Sequence, residues 1–270
     1  HRAQCRQPQL RFAAPCCRSQ PALADPLHLH SVNISAIIPA RAGSSRLPNK
    51  PLADIGGEPM IVHTWRAAHQ HPDIHRVCVA TDSAAIAEAI AHAGGEAVLT
   101  DPAHTTGTDR CQEVWHTWGD GGAVINLQGD EPFPDPEHLS AICSKLRENQ
   151  WDIVTTMRPE KPSEATSPHR VKVACNAQLQ ALYFSRSPVP SGGPFHIHIG
   201  IYGFAPGALT RCSTLPEGAL EKSERLEQLR WLESGLSIGL VRVSEGTSPG
   251  PVDTAQVLEG VREWYRKQTR

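Results

Sequence analysis

Two apolar rhythms alternate along this chain. A short β-branched run over 34–38, Ile-Ser-Ala-Ile-Ile bounded by Pro39, predicts a buried central strand. From 59 to about 71, Ile61, Trp65 and Ala68 recur at helical spacing, with Pro59 suited to a first turn. Further strands are predicted over 76–80, 96–100 and 123–127. Helices are predicted over 83–93, through Val114 and Trp118, and over 136–146. Asp82 reads as the N-cap of the 83–93 helix and Gly94-Gly95 as its stop. In the 136–146 helix, Leu139, Ile142, Cys143 and Leu146 form an i, i+3, i+4, i+7 set, one apolar face. This alternation predicts an α/β fold, Rossmann-like, with a mainly parallel sheet and helices on both faces.

After 152 the rhythm changes. Strands predicted over 153–157, 171–174, 181–185 and 198–204 have little helix between them. They suggest a small strand-rich lobe, about 152–215, that caps a cleft or forms a dimer contact. Helices return over 220–232, with Leu226 and Leu229 inside, and over 254–267, with Val257, Val261 and Trp264 inside. A strand over 236–243 lies between them. Trp65, Trp115, Trp118 and Trp264 read as core residues. Residues 1–30 are rich in Arg, Pro, Gln and Cys without either period, which predicts a disordered or mis-assigned extension before a domain over 31–270.

Charge narrows the partners. With 26 Lys and Arg against 28 Asp and Glu, the net charge of -2 gives no basic field for nucleic acid. No apolar run approaches the roughly 18 residues that cross a bilayer, so small molecules are the expected partners. The eight cysteines form no C-x-x-C pair and match no His spacing, which argues against zinc. Cys78, Cys111, Cys143 and Cys175 read as small buried hydrophobes of a reducing compartment.

The candidate chemistry begins where the first strand ends. The stretch A-I-I-P-A-R-A-G-S-S-R-L-P-N-K-P-L, over 36–52, runs from strand into a loop of small residues carrying Arg41, Arg46 and Lys50. Small residues let backbone N–H groups approach a ligand, and convergent cations add guanidinium forks and a point charge, so the loop suits a polyphosphate. It is neither a Walker A loop nor a G-x-G-x-x-G turn. Asp130, at the end of the 123–127 strand beside Gly129, has the setting of a Mg²⁺ ligand completed by substrate phosphates. Locally, Gly-Asp is also an ordinary turn, and Asp253 before Thr254 is also an ordinary helix N-cap.

Taken in order, the segments P-A-R-A-G-S-S-R-L-P-N-K-P-L, V-A-T-D, T-T-G-T-D-R, N-L-Q-G-D-E-P, V-K-V, Y-F-S-R, H-I-G-I-Y-G-F, L-E-Q-L-R and P-G-P-V-D-T resemble the 3-deoxy-manno-octulosonate cytidylyltransferase family from about Ile34 onward. The resemblance implies Mg²⁺-dependent transfer of CMP from CTP to the anomeric hydroxyl of an acidic eight-carbon sugar, with release of pyrophosphate. It further implies a cytoplasmic homodimer serving lipopolysaccharide synthesis. On this chain it implies CTP contacts at Arg41, Ser44, Arg46, Lys50, Thr106, Gly107, Arg110 and Gln128, and metal ligands Asp130 and Asp253. A sugar pocket is implied at Gln128, Lys172, Arg186, His198, Glu224, Glu227 and Gln228, with catalysis resting on Arg41, Lys50, Asp130 and Asp253. The chain departs from the family pattern at Asp109, where Glu is usual, and in a short connection over 187–197. Two other classes stay in view: an acylneuraminate cytidylyltransferase or related sugar-nucleotide enzyme, and a non-catalytic nucleotide-binding protein. Gly129-Asp130-Glu131 lacks the Asp-x-Asp pair of glycosyltransferases.

Overall fold

The computed structural model describes residues 32–43, 47–118, 121–246 and 248–269. The expectation for residues 1–30 lies outside them, as do Ser44 and Arg46. The first strand, β1 (Ile34–Ala40), runs through Pro39 rather than stopping before it. A 3₁₀ turn (Lys50–Leu52) and a hairpin of β2 (Asp54–Ile55) and β3 (Glu58–Pro59) lead to α1 (Met60–His69). Then follow β4 (Arg76–Thr81), α2 (Ala84–His92), β5 (Glu96–Leu99), α3 (Gly107–Trp118), β6 (Ala123–Asn126) and α4 (Pro136–Arg147). These elements match the predicted alternation.

Asp82 is not the cap of α2. The N-cap position is Ser83, without a side-chain bond, and both Asp82 oxygens are used elsewhere. Asp135 does cap α4, accepting from the Glu137 N–H, and Pro136 occupies the first turn.

The later part comprises β7 (Ile153–Glu160), α5 (Pro162–Ala165), β8 (Lys172–Cys175), β9 (Ala181–Ser185) and β10 (Phe195–Phe204). Next come α6 (Ala208–Ser213), α7 (Ala219–Glu224), α8 (Gln228–Glu233), β11 (Ile238–Arg242) and α9 (Ala255–Gln268). The central sheet has the order β11-β7-β10-β6-β1-β4-β5. Only β10 runs against its neighbours in this row, pairing antiparallel with β6 and β7. The strand-rich lobe is therefore an outgrowth of the sheet: β8 pairs with the first half of β10, and β9 pairs with β8.

Alternate side chains of β1 serve opposite faces, as strand geometry requires. Ile37 joins the core beneath α3, α6 and α8, while Ala36 and Ile38 join the core beneath α1, α2 and α4. A third small core, with Ile55, Met60, Val252, Leu258 and Val261, fastens α9 to the hairpin. Leu258 and Val261 carry that contact; Val257, expected inside, is exposed. Trp65 and Trp115 are buried, whereas Trp118 is only partly covered and Trp264 lies against Phe133 near the surface. Cys78, Cys111 and Cys143 are buried as expected; Cys175 is half-buried. No described helix is long and apolar enough to cross a membrane.

The single helix expected over 220–232 is broken. Arg225 adopts a left-handed conformation, φ 54°, which separates α7 from α8. Glu224 therefore does not share a helix face with Glu227 and Gln228.

Candidate active site

The first group of candidate residues stands at or beyond the carboxyl ends of β1, β5 and β6, where open α/β sheets hold ligands. A cavity of about 300 Å³ is bounded by the loop after β1, the start of α3 and the turn after β6. Its wall includes Arg41, Lys50, Thr106, Gly107, Arg110 and Gln128, with Asp130 and Asp253 at one end. Most of the residues implied for CTP are thus gathered around one space.

Local rules explain how each arrives there. Thr106 Oγ1 accepts from the Asp109 N–H (3.1 Å) and donates to Asp109 Oδ2 (2.8 Å), a reciprocal cap that starts α3 at Gly107. Asp109 therefore anchors the helix start that forms the cavity wall. Gly129 must be glycine for a steric reason: a Cβ there would stand 2.7 Å from the Pro39 carbonyl oxygen of the neighbouring strand. Asp82, freed from capping, accepts from the Ala42 N–H (3.1 Å) and from Arg110 Nη2 (3.2 Å). It ties the loop after β1 to α3. Arg110 is only 3% exposed and also donates to Thr100, so its guanidinium serves the wall and presents little free charge to the cavity.

Asp130 and Asp253 come from distant parts of the chain. The Val252 N–H donates to the Asp130 carbonyl (2.8 Å), pinning the last loop against the turn after β6. Thr254, not Asp253, caps α9, its hydroxyl accepting from the Val257 N–H at 3.3 Å. The Asp253 side chain is thus not spent on the cap and lines the cavity. Between the two aspartates lies Lys50 Nζ, 2.8 Å from Asp130 Oδ2 and 3.4 Å from Asp253 Oδ1. Two carboxylates converging on a cation are a hard-oxygen donor set of the kind Mg²⁺ takes when phosphates complete its shell. Beside them Glu131, mostly buried, has its carboxyl pushed up to about 7, first by burial and then by Asp130 and Asp135.

A second cavity, about 660 Å³, shares Gln128, Asp130 and Asp253 with the first. Its far wall carries Arg158, His169 and Arg170, none of which sequence reasoning singled out. Arg158 and Arg170 share one nearly buried carboxylate, Glu160. The R-P-E triplet of β7 and the H-R pair before β8 were the only sequence signals for them, and charges in a strand-rich segment ordinarily face water.

The residues implied for the sugar divide. Gln128 and His198 reach the second cavity. The His198 ring contacts Phe184 and Tyr202 and bonds through Nε2 to the Thr155 hydroxyl (2.9 Å); burial pulls its pKa down to about 3, so it is neutral. The others line neither cavity. Lys172 is fully buried and donates to the carbonyls of Ser167, Arg170 and Arg186. Arg186 donates to the carbonyls of Glu224, Pro168 and Arg225, while Glu224 accepts from Ser185 and the Arg186 N–H. Glu227 accepts from the Thr108 hydroxyl (2.8 Å), and burial raises its carboxyl. Gln228 is buried at the start of α8. The bonds of Lys172, Arg186, Glu224 and Glu227 form a brace that joins β8, β9 and the α7–α8 break, with Glu227 reaching the start of α3.

The chain is similar to known proteins over most of its length. A cytidylyltransferase family profile matches residues 35–238. A 3-deoxy-manno-octulosonate cytidylyltransferase of Methylorubrum populi is 44% identical over 235 residues, covering 84% of this chain and 94% of that protein. The enzyme of the same description from Rhodospirillum centenum is 46% identical, covering 84% and 91%. A solved CMP:2-keto-3-deoxy-manno-octonic acid synthetase complexed with CTP superposes with a TM-score of 0.83 at 38% identity, covering 87% of this chain and 99% of that one.

Proposed function

Because this chain belongs to the 3-deoxy-manno-octulosonate cytidylyltransferase family, we infer that it transfers CMP from CTP to the anomeric hydroxyl of 3-deoxy-D-manno-octulosonate, releasing pyrophosphate. The alternative readings, an acylneuraminate enzyme or a non-catalytic binder, are not favoured by these relatives. The observation that carries the mechanism is the meeting of Asp130 and Asp253 at the wall shared by the two cavities.

Nucleotidyl transfer needs positioning and charge neutralisation more than covalent participation. We assign CTP to the smaller cavity, its triphosphate toward Arg41 and Lys50 and its base toward Thr106 and Gly107. The sugar belongs in the larger cavity, where its attacking hydroxyl faces the nucleotide across Gln128 and Asp130, and Arg158 and Arg170 supply positive charge for an acidic substrate. Asp130 and Asp253 are the residues that would hold Mg²⁺, which when bound neutralises phosphate charge and acidifies the attacking hydroxyl. Gln128, bonded to Asn126 (3.2 Å), is held at the crossing point. The product suits lipopolysaccharide synthesis in the cytoplasm, and a homodimer is the proposed assembly.

Pyrophosphate release, measured with CTP, Mg²⁺ and the sugar and with each omitted in turn, tests this assignment. Release should require all three, and an acylneuraminate should not replace the sugar. Asp130→Ala or Asp253→Ala should abolish turnover without unfolding; full activity in either variant would remove the metal assignment.

A further inference from the structure

Lys50 occupies the gap between Asp130 and Asp253. Its side chain is only 15% exposed, and its ammonium lies between the same two carboxylates assigned to the metal. The backbone aims it there: Asn49 is in the left-handed region, φ 53°, and turns the chain into the 3₁₀ segment that Lys50 begins. The same ammonium lines the cavity assigned to CTP. One cation therefore has two possible sets of anionic partners within reach of a flexible four-carbon stem.

We propose that Lys50 is a built-in placeholder: before nucleotide binds, its ammonium holds Asp130 and Asp253 together and competes with a divalent cation, and the triphosphate draws it away. This rests on the assignment of Asp130 and Asp253 as metal ligands. Without Lys50 the two carboxylates would repel each other across loops that the Val252–Asp130 backbone bond keeps together. With it they stay converged but occupied. A metal ion entering alone must displace a positive charge that has nowhere better to go, whereas one entering with CTP finds new anionic oxygens offered to the ammonium at the same moment. Loading of metal and nucleotide is thereby coupled, and tight metal binding to the empty enzyme is suppressed.

The test is Mn²⁺ binding to nucleotide-free protein, followed by electron paramagnetic resonance, in wild type, Lys50→Met, Lys50→Gln and Lys50→Arg. Removing the ammonium in Lys50→Met or Lys50→Gln should tighten Mn²⁺ binding by about tenfold or more, since an adjacent like charge is lost. Lys50→Arg should stay as weak as wild type. The thermal stabilisation by Mn²⁺ should likewise be larger in Lys50→Met, which also shows that the variant is folded. Equal or weaker Mn²⁺ binding in both neutral variants would overturn the placeholder. Tight binding that survives in Lys50→Met combined with Asp130→Asn would instead overturn the metal assignment, so the two failures are distinguishable.

Discussion

Replacing Lys172 separates a sugar ligand from a structural brace. Its ammonium is fully buried and donates to three backbone carbonyls, those of Ser167 (2.9 Å), Arg170 (2.6 Å) and Arg186. Lys172→Met keeps length and bulk but leaves those carbonyls without their donor. An unpartnered buried acceptor costs about 1–3 kcal/mol. The low end applies, because loop carbonyls can admit water and because the buried ammonium is itself unfavourable: desolvation lowers its pKa. Three carbonyls then give a loss of about 3 kcal/mol, which lowers the melting temperature by roughly 6–12 °C in a chain of this size. Differential scanning calorimetry reads the loss directly, and steady-state kinetics read its functional consequence. The brace predicts a lower melting temperature with KM for CTP nearly unchanged. An unchanged melting temperature together with a raised KM for the sugar would refute it and return Lys172 to the sugar site.

Three other predictions follow from the same geometry. Gly129→Ala places a methyl group 2.7 Å from the Pro39 carbonyl oxygen, a backbone atom that cannot turn aside; stability should fall by about 1–3 kcal/mol and KM for CTP should rise, as thermal unfolding and initial rates would show. Asp82→Ala strips a buried guanidinium and the Ala42 N–H of their shared acceptor; KM for CTP should rise several-fold while KM for the sugar holds, and an equal change in both would refute a role for Asp82 in shaping the loop after β1. Glu131 carries its proton in the folded state up to about pH 7 but has the ordinary value of 4.5 when unfolded. Its contribution is complete below about 4.5 and is lost as pH rises through about 7, because the folded state binds the extra proton in that window. Glu131→Gln should therefore melt higher than the parent at pH 8 and near the parent at pH 5, in metal-free buffer; parallel pH profiles would contradict this.

The α/β architecture could be read along the chain, as could most of the residues that gather around the first cavity. Apolar periodicity is a local property, so the alternation up to α4 could be read directly, and the small basic loop, Thr106-Gly107 and the Asp130 turn each sit next to the element that carries them. The sequence also left two local readings of Asp82 and Asp253 as helix caps, because an aspartate before a helix carries no mark of where its carboxylate points. Contacts between distant segments settle those cases. Thr254 takes the cap of α9, Asp82 turns to Ala42 and Arg110, and the Val252–Asp130 bond brings Asp253 beside a residue far away in the chain. The break at Arg225 was hidden because a single left-handed residue interrupts a helix without disturbing the apolar spacing of Leu226 and Leu229. The division of the sugar-side residues was hidden for the same reason at larger scale. Whether Lys172 faces a ligand or three carbonyls depends on how β8, β9 and β10 cross, and pairing between distant strands leaves no periodic trace in any one of them.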